Sequence, residues 1–463
     1  MQFRRFLVFM LVQLSLLSAN RVDAQSFVHE KSDAYQWPDD PLVVSNLKEW
    51  QDLKFGIILH WGVYSVPGIC ESWTITSEDW ITPDTTRTYD EYKQWYWGLS
   101  ADFNPKRFNP SQWARVAREA GMKYMVFTTK HHDGFCLWDS RQTDYTVTHS
   151  GMMGRDSADV ARYVFEAFRQ EGIKTGCYFS KPDWHSPYYW WPVKATPNRR
   201  HNYKISDYPE RWAQYQHFVY NQVEELMSGY GKMDILWLDG GWCTLPHEDI
   251  RLDSIVAMAR SYQPGLIVVD RACPGPHENY QTPEQTIPDT QILNPWESCM
   301  TLTYDWGWTD HPVFKTPAKI IAVLSEVVAK GGSLLLGVGP TPDGIIEEGA
   351  EQRLLQVGRW LTCNGAAIYG TVPTPVYCNE AHTVWFTADK TQPNVRYGIV
   401  PAENGLPATV TWKGNQPRRG SRIVDLATGR RLNWTCEQGA VTVTLPTGTQ
   451  AQDGVAFRFE VVE

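Results

Sequence analysis

Three observations predict an α/β chain with a (β/α)8-like, TIM-type barrel followed by a small all-β sandwich. From about Leu47 to Gly370, short apolar runs alternate with amphipathic segments, which is the pattern of parallel βαβ units. Nearly every one of those runs ends in a residue that chemistry can use. After Gly370 the helical pattern stops, and short strands separated by Gly, Pro and Asn take over.

In chain order, the expected barrel strands are Phe55–His60, Tyr124–Thr129, Thr175–Ser180, Ile235–Asp239, Leu266–Arg271 and Ser333–Gly339. The expected helices are Ser111–Ala120, Ala158–Gln170, Pro209–Met227, Ser254–Tyr262, Pro317–Ala329 and Glu348–Leu361. About six clear units with long irregular stretches between them suit an imperfect barrel better than a doubly wound sheet. No GxGxxG or Walker-type loop follows any strand, which removes the usual nucleotide reading. The boundary is expected near Tyr369–Pro375, giving a barrel over residues 25–370 and a sandwich over 371–463. Expected sandwich strands are Val384–Phe386, Arg396–Val400, Thr409–Trp412, Arg422–Asp425, Val441–Leu445 and Val455–Val462.

Ahead of the barrel, Arg4 and Arg5 precede the apolar run Phe6–Leu17, and small and polar residues lead to Ala24. This is the grammar of a secretory signal peptide over residues 1–24, and it predicts export to the periplasm or the extracellular space. The run is too short for a membrane span, and no other segment reads as one. The formal charge is −9, and the chain is more acidic still without residues 1–24. An acidic chain without a Lys/Arg cluster is a poor nucleic-acid binder. Nine cysteines without a CxxC pair argue against a zinc ribbon and against a dense disulfide scaffold. Aromatic residues make up 13% of the chain, including 22 Trp and 22 Tyr. Most of these are core, but flat faces with a polar edge also suit sugars.

The strand ends carry the functional reading. The first ends in His60. The second runs into Lys130-His131-His132-Asp133. The third ends at Tyr178 and Ser180, with Asp183-Trp184-His185 behind. A fourth contains Trp237 and ends at Asp239, and the next ends at Asp270-Arg271. In a βα-barrel these ends converge on one rim. Taken singly, each has a plain structural explanation. Asp239 ahead of Gly240-Gly241 is equally a helix cap. His131-His132 is equally a metal pair, but neighbours on an extended segment point to opposite sides, and no HxH or HExxH spacing supports a metal. Trp95-Tyr96-Trp97 is equally surface packing. Only their convergence favours a site.

These residues resemble family 29 glycoside hydrolases, the α-L-fucosidases. The resemblance runs over residues 45–370 through Phe55-Gly56, His60-Trp61-Gly62-Val63-Tyr64-Ser65 and Lys130-His131-His132-Asp133-Gly134-Phe135. It continues through Tyr178-Phe179-Ser180, Leu236-Trp237-Leu238-Asp239-Gly240, Arg271, Thr282-Pro283-Glu284-Gln285, Pro295-Trp296-Glu297, Trp306-Gly307-Trp308 and Leu334–Pro340. It implies retaining, exo-acting hydrolysis of terminal α-L-fucose from oligosaccharides or glycoconjugates, without metal or cofactor. It assigns Asp239 as nucleophile. It assigns fucose contacts to His60, His131, His132, Tyr178, Trp237 and Arg271, with Trp95 and Trp306 shaping the pocket. Gln94 stands where the family often has Glu, removing a possible acidic sugar ligand, and Gly337 stands where it often has Asn. The His60-Trp61-Gly62 form and the Trp-Glu-Ser-Cys segment resemble the branch of broader specificity.

A retaining glycosidase also needs an acid/base carboxyl. The resemblance permits Glu284 or Glu297. Glu284, in a polar loop, is the expected acid/base because a mobile loop brings it to the leaving group. Glu297, flanked by residues that look structural, is the alternative. Asp133, Asp183 and Glu278 are read as supports of neighbouring loops and histidines. Two rival readings remain at this point: hydrolysis of a related sugar such as α-L-galactose, and a carbohydrate-binding protein that no longer turns over.

Overall fold

The computed structural model describes residues 35–82, 84–196, 198–446 and 452–461; the expected signal peptide lies outside them. Helix α1 (Pro41–Leu53) starts on an Asp40 cap with Pro41 at its first position. Its buried stripe is Val43, Leu47 and Trp50, and Trp50 stacks on Tyr280 at 4.1 Å to plug the lower end of the barrel.

Seven parallel strands follow: β1 (Phe55–Leu59), β2 (Tyr124–Lys130), β3 (Lys174–Ser180), β4 (Ile235–Asp239), β5 (Ile267–Asp270), β6 (Glu297–Thr301) and β7 (Ser333–Val338). Their order is β5-β4-β3-β2-β1-β7-β6. The outer helices are α2 (Tyr89–Gly98), α3 (Pro110–Glu119), α4 (Val160–Gln170), α5 (Pro209–Gly229), α6 (Leu252–Tyr262), α7 (Pro317–Ala329) and α8 (Glu348–Asn364). Strand β6 and helices α1 and α2 are absent from the sequence-based expectation. β6 escapes it because Glu297-Ser298-Cys299 does not read as an apolar run, although all five of its residues are buried.

The eighth barrel position holds no regular strand. It is filled by the segment 277–285, bonded on both sides. Toward β5, the Asp270 N–H donates to His277 O (2.8 Å) and the Asn279 N–H to Val268 O (3.0 Å). Toward β6, the Glu297 N–H donates to Gln281 O (2.8 Å), the Cys299 N–H to Pro283 O (3.1 Å) and the Gln285 N–H to Cys299 O (2.9 Å). Glu284 therefore does not sit on a mobile loop. Its backbone is paired opposite Cys299, at the upper end of the segment that closes the barrel.

Strand alternation sets which side chains reach the interior. Ile58, Tyr178, Ile235, Trp237, Ile267, Val269 and Leu335 pack together inside. Ile57, Leu59, Cys177, Phe179, Leu236, Leu238, Val268, Leu334 and Leu336 pack outward on the helices. The inward row, continued past the strand ends, reaches His60, Ser180, Asp239 and Arg271. On β7 it reaches Gly337, where a Cβ would lie 2.8 Å from the indole of Trp306. Glycine there leaves room for that ring.

The β region opens with β8 (Thr371–Cys378). β9 (Trp385–Asp389), β10 (Val395–Pro401), β12 (Ile423–Asp425), β13 (Arg431–Leu432) and β16 (Gly454–Glu460) complete a six-stranded sheet. β11 (Thr409–Lys413), β14 (Trp434–Glu437) and β15 (Ala440–Thr444) form a second sheet of three strands. Both faces of the larger sheet are used. Trp385, Tyr397 and Ile399 join the core shared with the barrel helices, whereas Phe386, Val400 and Phe457 pack against Val410, Trp412, Val441 and Val443 of the small sheet.

One buried ion pair braces the site from outside. Lys130 Nζ donates to Asp183 Oδ2 (3.0 Å) and Gln222 Oε1 (2.9 Å), tying β2 to α5, and both charged side chains are buried. Lys130→Met leaves the Asp183 charge buried without its counterion. The expected cost is about 3 kcal/mol, read as a lower urea midpoint; an unchanged midpoint would contradict it.

Candidate active site

The upper ends of the strands enclose a cavity of about 150 Å³, lined by His60, Glu71, Trp73, His131, His132, Tyr178, Arg199, Trp237, Asp239, Trp242, Arg271, Glu284 and Trp306 with Ile58 and Cys299. Larger hollows beside His277 (about 490 Å³) and Asp453 (about 500 Å³) are also lined by polar groups, but most of those side chains are exposed or half-buried. Chemistry, not size, singles out the barrel cavity.

Asp239 ends β4. The next residue, Gly240, turns the chain at φ 87°, against the ring of Pro182, and donates its N–H to Asp239 Oδ1 (2.8 Å). Tyr178 donates to Oδ2 (2.6 Å) and Arg271 Nη1 to Oδ1 (2.9 Å); His132 Nε2 stands 3.7 Å from Oδ2. Burial alone would raise the pKa of this carboxyl. Arg271, then His132 and the Tyr178 hydroxyl, outweigh burial and hold it well below the usual carboxylate range.

Arg271 has a second partner. Its other terminal nitrogen, Nη2, donates to Glu284 Oε2, and Trp306 Nε1 donates to Glu284 Oε1 (3.2 Å). One guanidinium fork thus holds both Asp239 and Glu284. The Glu284 side chain is 36% exposed, against 11% for Asp239, so Glu284 faces the mouth and Asp239 the floor.

Three histidines complete the wall. The Ser180 hydroxyl donates to Pro182 O (2.7 Å) and so accepts from His132 Nδ1 (2.6 Å), which leaves His132 Nε2 facing Asp239. His131 Nδ1 meets Ser72 Oγ at 2.7 Å. Burial lowers the pKa of His132 to about 4 and those of His60 and His131 well below the ordinary value, so all three are neutral at neutral pH. The buried His60 Nδ1 and Arg271 Nε have no hydrogen-bond partner among the described residues.

The expectation that His131 and His132 point to opposite sides is wrong. Their rings lie 4.3 Å apart on the same cavity, because the β2 pairing shifts register after Thr128 and the chain turns at Gly134. With Asp239 they bring ligand-type atoms within 4.8 Å of one another. The Arg271 charge on Asp239 opposes a cation at that spot.

Of the sequence-predicted residues, the fold brings His60, His131, His132, Tyr178, Trp237, Asp239, Arg271, Glu284 and Trp306 to this cavity. Trp95 and Glu297 are not among the lining residues. The buried face of α2 is Tyr92 and Tyr96. Trp95 flanks that face, packed on Tyr92 at 5.1 Å and under Arg87 at 4.7 Å, while Tyr96 donates to Asp133 Oδ2 (2.8 Å). Gln94 lies exposed on the same helix. An acidic group is nevertheless present: Glu71, whose carboxyl burial pushes up to about 8, with Gly307 N donating to it at 3.4 Å. Glu71, Trp73, Arg199 and Trp242 escaped the sequence reading because they stand on irregular loops without periodicity. The Glu71-Ser72-Trp73 triplet in the connection that follows the first strand was the available signal. Glu297 is wholly buried beneath the cavity floor.

Comparison with known proteins converges on one family. A family model described as Alpha-L-fucosidase matches residues 23–366. The chain is 31% identical to the tissue alpha-L-fucosidase of Mus musculus over 430 residues, 86% of this chain and 88% of that protein. Alpha-L-fucosidase isoenzyme 1 from Paenibacillus thiaminolyticus superposes with a TM-score of 0.75 at 30% identity, over 91% of this chain and 100% of that one. The Thermotoga maritima alpha-fucosidase, solved in complex with fucose, superposes with a TM-score of 0.71 at 26% identity, over 93% and 98%. The chain belongs to the alpha-L-fucosidase family.

Proposed function

We infer that this chain is a retaining, exo-acting α-L-fucosidase that releases terminal α-L-fucose from glycans, with Asp239 as nucleophile and Glu284 as acid/base. The observation that carries the assignment of roles is the shared Arg271 fork, with the buried carboxylate on one tine and the mouth-facing one on the other.

The steps follow from those positions. Asp239, kept ionised, attacks the anomeric carbon as the bond to the leaving oxygen breaks, and Glu284 gives that oxygen its proton. The product is a fucosyl ester on Asp239. Glu284 then takes a proton from water, which attacks the same carbon and frees fucose with its configuration retained. Solvent reaches Glu284 at the mouth, so its proton can be exchanged between turnovers. The neutral histidines offer both donor and acceptor nitrogens to hydroxyls, and Glu71, protonated up to about pH 8, adds a donor. The rings of Trp306 and Trp237 supply apolar surface for the C6 methyl. Both carboxylates line the cavity, which disfavours a binding protein without turnover, and the relatives named above are fucosidases rather than galactosidases. Broader specificity is part of the same proposal, supported by the His60-Trp61-Gly62 and Trp296-Glu297-Ser298-Cys299 segments.

Three outcomes are expected. Asp239→Ala loses at least about 10⁴-fold in kcat on an aryl fucoside, with azide restoring part of it through a fucosyl azide; near-normal activity would remove Asp239 from the role. Glu284→Ala loses about 10²–10⁴-fold on a fucosylated oligosaccharide and far less on an aryl fucoside with an acidic phenol. If Glu297→Ala shows that dependence and Glu284→Ala does not, the assignment is reversed. Finally, the acid limb of kcat/KM falls at about pH 4, as His132 takes up its proton. Asp239 titrates lower and cannot set the limb, and a limb near an ordinary imidazole pKa would contradict the neutral histidines.

A further inference from the structure

Glu297 is a fully buried carboxyl that the proposed steps leave unused. It lies inside the barrel at the start of β6 and accepts from three elements at once. Tyr124 of β2 donates to Oε2 at 2.7 Å, Tyr280 of the closing segment to Oε2 at 3.4 Å, and Trp237 Nε1 of β4 to Oε1 at 3.3 Å.

Trp237 is the member that leads to the chemistry. It stands two residues before Asp239 and forms part of the cavity lining. Its indole stacks on Tyr178 (5.3 Å, 21°), and the guanidinium carbon of Arg271 lies 5.3 Å from its ring centre. Tyr178 and Arg271 are the two side chains that hydrogen-bond to the Asp239 carboxylate. The groups that orient the nucleophile therefore rest on one indole, and that indole donates its N–H to Glu297 from below.

We infer that Glu297 is a positioning residue: by holding the Trp237 N–H it sets the plane on which Tyr178 and Arg271 seat Asp239. An apolar residue would fill the same space with far less desolvation, so packing alone gives a carboxyl no advantage here. The cost is visible in its titration, which burial pushes up to about 7 in spite of three donors and the nearby Arg271. Rotation of the indole is the freedom that the carboxyl removes. χ2 of a Trp is a broad torsion, and a buried N–H left without an acceptor would turn to seek another.

The inference rests on the fucosidase reading, and a double-mutant cycle separates the two. Glu297→Leu, Trp237→Phe and the double variant are assayed on an aryl fucoside at a temperature where circular dichroism shows each folded. Glu297→Leu is expected to lower kcat about 10²-fold, the scale of a small misplacement of reacting groups, with KM changed less than kcat. Phe at 237 has no N–H to hold, so in that background Glu297→Leu is expected to lower kcat by less than about threefold, a strong coupling between neighbours. Glu297→Gln, which keeps an acceptor oxygen, is expected to stay within about tenfold of wild type, and it keeps the cycle informative if the Leu variant fails to fold. Equal losses in both backgrounds, or a Gln variant as impaired as Leu, would overturn the inference. No turnover by the wild-type chain would overturn the fucosidase reading instead.

Discussion

The site depends on the guanidinium of Arg271. Two carboxylates in one partly dry cavity would each raise the other's pKa and share a proton. A planar cation between them changes that: one tine fixes Asp239 and the other reaches Glu284. The geometry needs a fork, which a lysine ammonium does not present. The fork also joins backbone elements. Arg271 follows β5 and donates its N–H to Leu238 O (3.1 Å), Asp239 ends β4, and Glu284 lies on the segment that closes the barrel against β6. The electrostatics of the pair and the closure of the barrel are thus one arrangement.

Around that fork the chain places supports that never touch the cavity. Ser180 and Ser72 set the ring orientation of His132 and His131. Lys130 and Asp183 tie the end of β2 to the loop behind β3, and the buried Lys181–Asp270 pair ties the ends of β3 and β5. These pairs are costly to bury, so they say more about specificity of placement than about net stability. Behind α7, the larger sheet of the β region adds Trp385, Tyr397 and Ile399 to the barrel core, so it buttresses the outer wall.

Much of this was legible in the sequence, for a physical reason. Strands alternate with period two, so once Ile58, Trp237 and Val269 are read as inward, His60, Asp239 and Arg271 must follow them to the same rim. What failed had no period to read. Glu71, Trp73, Arg199 and Trp242 arrive on irregular loops, and His131-His132 stands where a register shift breaks the alternation. Trp95 was misplaced because an aromatic triplet on a helix offers its buried face to only some of its members; Tyr96 took the inward position. The closing segment looked like a polar loop because it forms ladder bonds without the apolar run of a strand. That error made Glu284 look mobile although its backbone is paired on β6. Glu297 looked eligible as a catalytic acid because sequence does not reveal which carboxyl lies below the cavity floor.

The central claim is that the carboxylate on the buried tine of Arg271 becomes covalently bonded to the sugar. Trapping with a 2-deoxy-2-fluoro-fucosyl fluoride tests it most directly. The fluorine at C2 slows both formation and hydrolysis of the ester, and the activated fluoride leaving group restores formation alone, so the intermediate accumulates. Peptide mass spectrometry of the trapped protein should find a single fluorofucosyl adduct, on Asp239. An adduct on Glu284 or on another carboxylate, or a turnover product of inverted configuration with no adduct, would contradict the account.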